Sequence, residues 1–158
     1  MFSVNPRALR WVFTVNNYSE TEYNIIDQWL QSGVAKYAII GKEIAPTTGT
    51  QHLQGYIHLE KKQYRRTIAT AIKKKKDGTC IWSYLQPAVG SEFQNREYCS
   101  KSGDYKEYGA LTVTDQKEVD KKNHVVTVMK DWMSLSKDEF EEKWPYEALH
   151  WRRKLIEW

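Results

Sequence analysis

The chain has 158 residues, 41% of them hydrophobic and 13% aromatic, and its 24 Lys and Arg against 20 Asp and Glu give a formal net charge of +4. This length predicts one ordinary domain, alone or with a short appendage, and excludes a large multidomain machine. The composition favours a globular protein with no membrane span, because no apolar run approaches the roughly 20 residues of a membrane helix.

The first predicted elements are a strand and a helix. Residues Arg10–Val15 are rich in β-branched and aromatic side chains, which predicts a strand, and the Asn-Asn pair at 16–17 predicts a turn after it. Ser19 and Glu22 have the spacing of a capping box, and Gly33 stands where a glycine typically ends a helix. Apolar residues at helical spacing complete this predicted helix: Ile25, Ile26, Trp29 and Leu30.

A hairpin and a basic segment follow. Residues 36–43 and 51–59 have strand patterns and are separated by a predicted loop at 46–49. Residues 61–76 then contain eight Lys and Arg and no acid, and we predict a second helix that begins near Tyr64. A segment of this charge density is expected to attract phosphate groups, although a solvated helix face has the same pattern.

Shorter elements complete the first part of the chain. Residues 81–85 and 105–108 predict two further strands, and Ser91 with Gln94 predicts the start of a third helix that runs to Cys99. The resulting order is βαββαβαβ. It predicts an α+β fold in which helices flank a central antiparallel sheet of about five strands.

The chain changes character after residue 110. We predict a first domain at 1–110, a polar linker at 111–122 and a helical extension at 123–158. The first domain has 15 basic and 10 acidic residues, a net charge of +5, and the remainder has 9 and 10, a net charge of −1. Within the extension, Ser136 and Glu139 have capping-box spacing. We interpret these helices as the start of a segment through which the protein forms homo-oligomers.

Three polar residues on the predicted hairpin form a candidate metal site. His52 and Gln54 share one face of their strand, because alternate side chains point to the same side. Glu43, near the end of the neighbouring strand, can place a carboxylate beside them. Such a set suits a hard or borderline divalent cation and leaves positions for water or a phosphate oxygen. A His beside a Gln is also typical of an ordinary polar surface pair.

Tyr98 and Lys101 form a second candidate pair on the third helix. Their spacing of three residues places them on one side of a helix. An ordinary tyrosine, with a pKa of about 10, is a poor nucleophile at neutral pH, so a nearby cation or metal is needed to activate it. A core tyrosine beside a surface lysine is the alternative interpretation.

Three short motifs connect these candidates to a known family. They are Phe-Thr-Val-Asn-Asn at 13–17, His-Leu-Gln-Gly-Tyr at 52–56 and Tyr-Cys-Ser-Lys at 98–101. In this order they resemble the three rolling-circle motifs of the HUH endonuclease superfamily, in the His-hydrophobic-Gln form of circovirus-like initiators. Over roughly residues 8–110, the chain resembles the replication initiator proteins of circular single-stranded DNA viruses.

The resemblance implies a role for each motif. Glu43, His52 and Gln54 would bind Mn²⁺ or Mg²⁺. Tyr98 would be the single nucleophile, and Lys101 would position it or stabilise charge. A glutamine replaces the second histidine of the superfamily's usual pair, and an amide is the weaker ligand, which bears on metal affinity more than on mechanism. The residues expected to bind DNA, from the first motif and the basic segment, are Phe13, Thr14, Asn16, Asn17, Lys61, Lys62, Arg65, Arg66, Lys73 and Lys74.

The implied activity is metal-dependent, sequence-specific nicking and joining of single-stranded DNA at a viral origin. It would proceed through a 5′-phosphotyrosine on an RRM-like or ferredoxin-like sheet, and it would initiate and terminate rolling-circle replication in the host nucleus. Full-length initiators of this family also carry a helicase domain. The sequence contains no Gly-x-x-x-x-Gly-Lys-Ser/Thr loop, so we expect a nuclease part without ATPase or helicase activity.

Two other functional classes stay open. A non-catalytic RRM-like module would bind nucleic acid without chemistry, although an RNP1-like aromatic motif is missing from the sequence. A plasmid or transposon HUH nuclease would share the chemistry and differ in its origin. A structural zinc domain is disfavoured, because the His and Cys residues do not form spaced pairs. No apolar signal region follows Met1, and Cys80 and Cys99 predict no disulfide scaffold, so we expect a protein that is not secreted.

Overall fold

The computed structural model describes residues 5–72 and 80–156, the last six of these as backbone only. The chain divides into two compact units, Met1–Thr112 and Val113–Trp158. The strands of the first unit are β1 (Arg7–Asn16), β2 (Ala35–Ile44), β3 (Gln51–Tyr64), β4 (Tyr84–Pro87) and β5 (Tyr105–Gly109). Its helices are α1 (Glu20–Gln31), α2 (Arg65–Ala71) and α3 (Glu92–Cys99). The second unit contains α4 (Val113–Ser134), α5 (Lys137–Lys143) and α6 (Pro145–Ile156).

The first unit is built on one five-stranded sheet of order β4-β1-β3-β2-β5. Every pair of neighbouring strands is antiparallel. The predicted element order and the predicted α+β class with a five-stranded antiparallel sheet are confirmed. Strand β3 lies at the centre, because it pairs with β1 on one side and with β2 on the other. The alternation along β3 therefore decides which face each of its side chains occupies.

The main hydrophobic core lies on one face of this sheet, beneath α1 and α2. Trp11 and Phe13 from β1, Ile26 from α1 and Ile68 from α2 are each at most 1% exposed. The ring of Phe13 covers Gly55 on β3 so closely that a Cβ at Gly55 would overlap it. Removal of this apolar surface from water, at about 25 cal/mol per Å², is the main term that stabilises the fold.

Local capping bonds set the helix starts that the sequence predicts. Ser19 accepts a hydrogen bond from the backbone N–H of Glu22 at 3.2 Å. Helix α1 begins at Glu20, the residue after Ser19. At α3 the capping box is complete, since Ser91 accepts from the N–H of Gln94 and the Gln94 side chain accepts from the N–H of Ser91. Gly33 follows α1 with a φ of +87°, a conformation that favours glycine.

The third strand extends further into the basic segment than predicted. Strand β3 continues to Tyr64, five residues beyond the predicted end, because it regains its pairing with β1 after an irregularity in the register. Lys61 and Lys62 therefore lie on a strand, and the helix begins at Arg65. The lysines at 73–76 lie outside the described residues. The predicted start of this helix near Tyr64 is confirmed, whereas the end of β3 was predicted five residues too early.

The fourth strand also starts later than predicted. Ile81 and Trp82 are 2% and 8% exposed, so their side chains belong to the core, but pairing with β1 begins only at Tyr84. Their hydrophobic character reflects burial in an irregular segment rather than strand structure. A short apolar run in the sequence is compatible with a strand and equally with a buried irregular segment.

The predicted linker at 111–122 is wrong from Val113 onward, because these residues form the first turns of α4. The segment is polar but rich in residues that favour helices, and Gln116 donates a hydrogen bond to Asp120, one turn later, at 2.9 Å. Val119 is buried, which gives the segment an anchoring side chain. The polar composition of this segment is therefore not sufficient evidence of a linker.

The second unit has a small core of its own. Phe140 is 1% exposed, and its ring meets Trp132 edge-on at 5.1 Å between ring centres. Trp144 donates a hydrogen bond from Nε1 to Asp131 at 2.8 Å. The predicted capping box at Ser136 is present and begins α5. Across residues 5–72 and 80–156, none of the helices is long and apolar enough to cross a membrane.

An ion pair fastens α3 to the edge strand β5. Arg96 donates from Nε and Nη2 to the two carboxylate oxygens of Glu107 at 3.0 and 3.1 Å, and Tyr37 donates to the same carboxylate at 2.6 Å. Burial alone would raise the pKa of Glu107, but the hydrogen bonds from Arg96 and Tyr37 outweigh it and hold this pKa below its usual value. The charged form of Glu107 therefore stabilises the folded state.

We predict that acid weakens this attachment. The contribution of Glu107 to stability is complete above the pKa that a glutamate has in the unfolded chain, about 4.3, and is lost as the pH falls through the lower pKa of the folded state. Urea unfolding at a series of pH values from 6 to 3 measures this loss. The free energy of unfolding should fall more steeply for the wild type than for Glu107→Gln, with the exposed Glu60→Gln as the control. Equal slopes for wild type and Glu107→Gln would contradict the prediction.

Candidate active site

The register of β3 places the predicted polar residues in neighbouring rows at one end of the sheet. His52 lies opposite Asn16 on β1 and opposite Glu43 on β2. Gln54 lies two residues further along β3, opposite Thr14 on β1. All five positions share the face that α3 covers, away from the main core.

Glu43 is the charged centre of this group. Its Oε2 lies 3.6 Å from Nε2 of His52, and its Oε1 lies 2.7 Å from Nζ of Lys101. The Glu43 side chain is only 11% exposed, so the ammonium group of Lys101 compensates a carboxylate that is largely removed from water. The structure thus brings together three residues that the sequence separates by up to 58 positions.

Gln54 is oriented by the neighbouring strand. Thr14 donates a hydrogen bond from Oγ1 to Oε1 of Gln54 at 3.1 Å. This bond turns the amide oxygen of Gln54 toward Thr14. It also fixes the side chain beside the His52 row.

Tyr98 lies in the last turn of α3 and is 54% exposed. Nζ of Lys101 lies 3.6 Å from the centre of its ring, within the range of a cation–π interaction. Lys101 follows the end of α3 instead of lying on it, since the helix stops at Cys99. The pair is nevertheless adjacent, and one ammonium group contacts both the Tyr98 ring and the Glu43 carboxylate.

The end of α3 reaches this position because β2 carries a glycine. A Cβ at Gly41 would overlap the backbone carbonyl of Cys99, so any other residue would push the helix away from the sheet. Cys99 itself is 2% exposed, and burial raises the pKa of its thiol to about 12. Although Cys99 is adjacent to Tyr98, its thiol is protonated at neutral pH and is not a competing nucleophile.

A cavity of about 530 Å³ opens beside Tyr98, between α3 and the β1–β4 edge. Its lining includes Thr14 and Gln54 together with three residues that the sequence did not indicate as functional: Tyr84, Val89 and Asn95. Asn95 lies three residues before Tyr98, a helical spacing that could have identified it. Tyr84 could not be found in this way, because its place depends on the pairing of β4 with β1.

The donor set fits a divalent cation. Two ligands that each lie about 2.1 Å from one ion can be at most about 4.2 Å apart, and the 3.6 Å between Glu43 and His52 is within this limit. The Glu43 carboxylate already binds one positive charge, the ammonium group of Lys101. In the described part of the chain there is no cluster of three or more His, Cys, Asp and Glu suited to a metal, so the third protein ligand would have to be the amide oxygen of Gln54.

The first motif contributes in two different ways. Phe13 is 1% exposed and packs in the main core, so it supports the sheet, and its predicted DNA contact stays a prediction. Asn16 and Asn17 are exposed at the end of β1, beside His52. Asn17 has a φ of +51°, and its N–H donates to the carbonyl of Gln51 at 2.7 Å, which closes the turn at this end of the sheet.

Those basic residues of the predicted DNA-binding set that the structure describes lie at the other end of the sheet. Arg7 pairs with Tyr64 and Asn16 with His52, so the two ends are nine residues apart on β1, or about 30 Å at 3.3 Å per residue. Lys61, Lys62 and Arg66 are exposed near the far end. Lys73 and Lys74 lie outside the described residues.

Arg65 belongs to this set by position but has a structural role. Its Nε donates to the carbonyl of Leu85 at 2.9 Å, and its guanidinium also bonds the side chain of Gln86. These bonds join the start of α2 to β4. Its predicted role in DNA binding therefore competes with an attachment inside the fold.

Comparison with known proteins gives a consistent result for the first unit. The model of the family described as "Putative viral replication protein" matches residues 8–102. The chain is 41% identical over 105 residues to the replication-associated protein of Human associated cyclovirus 1, which covers 66% of this chain and 35% of that protein. It is 38% identical over 96 residues to the replication-associated protein of Pigeon circovirus, and this match covers 61% of this chain and 27% of that protein. It is also 38% identical over 101 residues to Para-Rep C2 of Milk vetch dwarf C2 alphasatellite, and this match covers 64% of this chain and 33% of that protein. The chain spans roughly a third of the length of these relatives.

We predict that Gly41→Ala displaces the end of α3 and exposes Cys99. In a Cys80→Ser background, Cys99 is the only thiol, and it should react slowly with a thiol reagent in the wild-type fold because it is buried. The alanine should make it react faster and should lower the free energy of unfolding by about 1–3 kcal/mol, as overpacking does. A time course of thiol modification, together with urea unfolding, measures both effects.

Gly49→Ala is the matched control. Gly49 has a φ of +70°, and no atom lies within 4 Å of the position that a Cβ would take there, so alanine strains the backbone without touching α3. This variant should lose stability while Cys99 stays protected. Equal protection of Cys99 in Gly41→Ala and Gly49→Ala would contradict the role of Gly41.

Proposed function

The chain belongs to the family of viral replication proteins, and we propose that its first unit is the origin-nicking and strand-joining part of a circovirus-like replication initiator. Its substrate would be single-stranded DNA at the viral origin, and its reaction would start and end rolling-circle replication. The relatives that carry the name replication-associated protein support this proposal, although this chain spans only part of their length.

One observation carries the proposal: an exposed tyrosine lies next to a lysine that is paired with the carboxylate of a Glu-His-Gln group. Lys101 contacts both the ring of Tyr98 and the carboxylate of Glu43. His52 and Gln54 complete the group on the same face. A nucleophile, a positive charge and a set of oxygen and nitrogen ligands at one point of the surface are the components that phosphodiester transfer requires.

The proposed reaction is an in-line displacement at phosphorus. The phenolic oxygen of Tyr98 forms a bond to the phosphorus and gives up its proton to solvent. The bond from phosphorus to the 3′ oxygen breaks, and that oxygen takes a proton and becomes a free 3′-hydroxyl. The 5′ side of the break stays attached as a phosphotyrosine ester, so a later attack by a 3′-hydroxyl reverses the step and joins the strands.

The residues around Tyr98 would divide the remaining tasks. Glu43, His52 and Gln54 would hold Mn²⁺ or Mg²⁺, which when bound supplies a Lewis acid for the scissile phosphate. Lys101 would exchange its contact with Glu43 for the phosphate or the developing phenolate, since its ammonium group already contacts the Tyr98 ring as well as Glu43.

The cavity beside Tyr98 would receive the strand next to the scissile phosphate. It combines the exposed ring of Tyr84 with the side-chain amides of Gln54 and Asn95, a lining that suits a base. A tyrosine that must reach a phosphate directly favours a single strand or an extruded loop over closed duplex DNA. We further propose that the reaction takes place in the host nucleus and that residues 123–158 contribute to self-association.

We predict that the wild-type protein forms a covalent adduct with a single-stranded origin oligonucleotide and that Tyr98→Phe does not. The phenylalanine keeps the ring but lacks the attacking oxygen. A labelled oligonucleotide, incubated with protein and Mn²⁺ and separated on a denaturing gel, measures the adduct. Addition of EDTA should abolish it, because the proposed ligands would lose their cation.

Tyr105→Phe is the matched control for this experiment. Tyr105 is another exposed tyrosine, close to α3, with the guanidinium of Arg96 5.9 Å from its ring. This variant should form the adduct normally. An adduct that persists in Tyr98→Phe would mean that another residue is the nucleophile. Binding without any cleavage in the wild type, over several origin sequences of related viruses, would favour the non-catalytic module.

We also predict that Lys101→Met slows adduct formation by about 10²–10³-fold, the usual cost of removing one group that stabilises developing charge. Methionine keeps much of the side-chain length and removes the charge. Lys42→Met is the control, because Lys42 is the sequence neighbour of Glu43 but lies against Tyr23, 4.3 Å from its ring centre. Single-turnover kinetics with both variants make the comparison. Equal rates in the two variants would remove Lys101 from the mechanism.

A further inference from the structure

The helix that carries Tyr98 is attached to the sheet mainly by polar contacts. Over α3, which the structure describes completely, the buried residues are Glu92 in the first turn and Cys99 in the last. The other two helices of the first unit are anchored instead by isoleucine and leucine side chains in the main core. The attachment of α3 therefore depends on hydrogen-bond geometry more than on apolar packing.

Glu92 is the polar anchor at the start of this helix. Its carboxylate is 6% exposed, and Oε1 accepts a hydrogen bond from Oη of Tyr56 at 3.0 Å and lies 2.9 Å from Nδ1 of His58. The Tyr56 hydroxyl donates to this oxygen, and the His58 ring nitrogen lies within hydrogen-bond distance of it. Both partners are on β3, the strand that also carries His52 and Gln54.

A second contact joins this anchor to the loop before the helix. Arg10 donates from Nη1 to the carbonyl of Gly90 at 2.8 Å and to Oη of Tyr56 at 3.4 Å. Tyr56 is buried, and its phenol donates to Glu92 instead of to solvent. Strands β1 and β3 thus hold both the first turn of α3 and the residue that precedes its cap.

We infer that Glu92 is a positioning residue for Tyr98: its bonds to Tyr56 and His58 set the placement of α3 on the sheet and thereby the place of the tyrosine relative to His52 and Gln54. This inference rests on the proposed function of Tyr98. Six residues separate Glu92 from Tyr98, about 9 Å along one short helix, so a shift at the anchor moves the tyrosine with it.

The chemistry of the anchor supports this role over a purely stabilising one. Even for a fully charged buried pair, replacement by apolar residues of similar volume is often neutral or stabilising, so a carboxylate is not needed to fill this position. Two polar partners at fixed positions on β3 define one orientation of the carboxyl group, whereas an apolar side chain could slide. Displacement of a reacting group by about 1 Å can slow a reaction by about 10²-fold.

The test separates stability from positioning. Glu92→Leu removes both hydrogen bonds and keeps the volume, while Glu92→Gln keeps an oxygen that can accept from Tyr56. In single-turnover adduct formation, Glu92→Leu should lower kcat about a hundredfold with an unchanged KM for the oligonucleotide, and Glu92→Gln should recover most of the rate. Tyr56→Phe, which removes one donor, should give an intermediate loss and serves if Glu92→Leu does not fold.

Glu22→Leu is the matched control. Glu22 is the other buried glutamate of the described residues, and it lies in the first turn of α1. Urea unfolding gives the stability of each variant. Loss of rate in Glu92→Leu in proportion to its loss of folded protein, or an equal loss in Glu22→Leu, would overturn the inference.

A spectroscopic measurement makes the result independent of activity. With 3-fluorotyrosine incorporated throughout, the resonance of Tyr98 is assigned by its loss in Tyr98→Phe. It should shift or broaden in Glu92→Leu and stay unchanged in Glu22→Leu. An unchanged Tyr98 resonance in Glu92→Leu would overturn the inference. A wild-type protein that forms no adduct would refute the proposed function, and the fluorine spectra would still decide whether Glu92 positions Tyr98.

Discussion

The pairing register of β3 between β1 and β2 is the constraint on which both the core and the candidate active site depend. A shift by one residue would turn Leu53 and Ile57 to the α3 side and His52 and Gln54 into the apolar core. The cost of such a shift is the burial of two polar side chains without partners and the exposure of two large apolar ones. The hydrophobic effect that holds the sheet against α1 and α2 therefore also fixes the positions of the polar residues on the opposite face.

The two faces of the sheet hold their helices by different kinds of contact. The face under α1 and α2 is apolar and close-packed, and such packing tolerates little change in shape. The face under α3 combines a small cluster of Tyr37, Ile39, Tyr56 and Cys99 with polar contacts that hold the helix, those of Glu92 with Tyr56 and His58 and the ion pair of Arg96 with Glu107. Charged hydrogen bonds are directional, so α3 has a defined placement on this face although less apolar surface is buried there. The candidate nucleophile is on the helix that is placed in this way.

The sequence predicted most of the fold because its signals are local. A serine cap bonds a backbone N–H three residues away, so Ser19, Ser91 and Ser136 could be identified without knowledge of the rest of the chain. The end of β3 and the start of β4 could not, since they depend on how far the pairing with β1 extends. The helix at Val113 was mistaken for a linker because its polar residues favour a helix without showing a clear apolar stripe.

The candidate site divides in the same way. Alternation on one strand and the hairpin register were enough to group Glu43, His52 and Gln54. Tyr84 and Glu92 could not be predicted, because their places follow from the strand order and from the face that α3 covers. Phe13 belongs to a motif that the resemblance associates with DNA, and its alternation with Trp11 and Val15 places it in the core.

The separation of the exposed basic residues from Tyr98 sets a minimum length for any ligand that touches both. The two ends of β1 are about 30 Å apart at 3.3 Å per residue, and a nucleic acid must span about that distance to contact both. An oligonucleotide of a few residues bound at Tyr98 leaves Lys61, Lys62 and Arg66 without a phosphate, so they release no counterions from it. The steepness with which salt weakens binding therefore depends on the length of the nucleic acid and not only on its sequence.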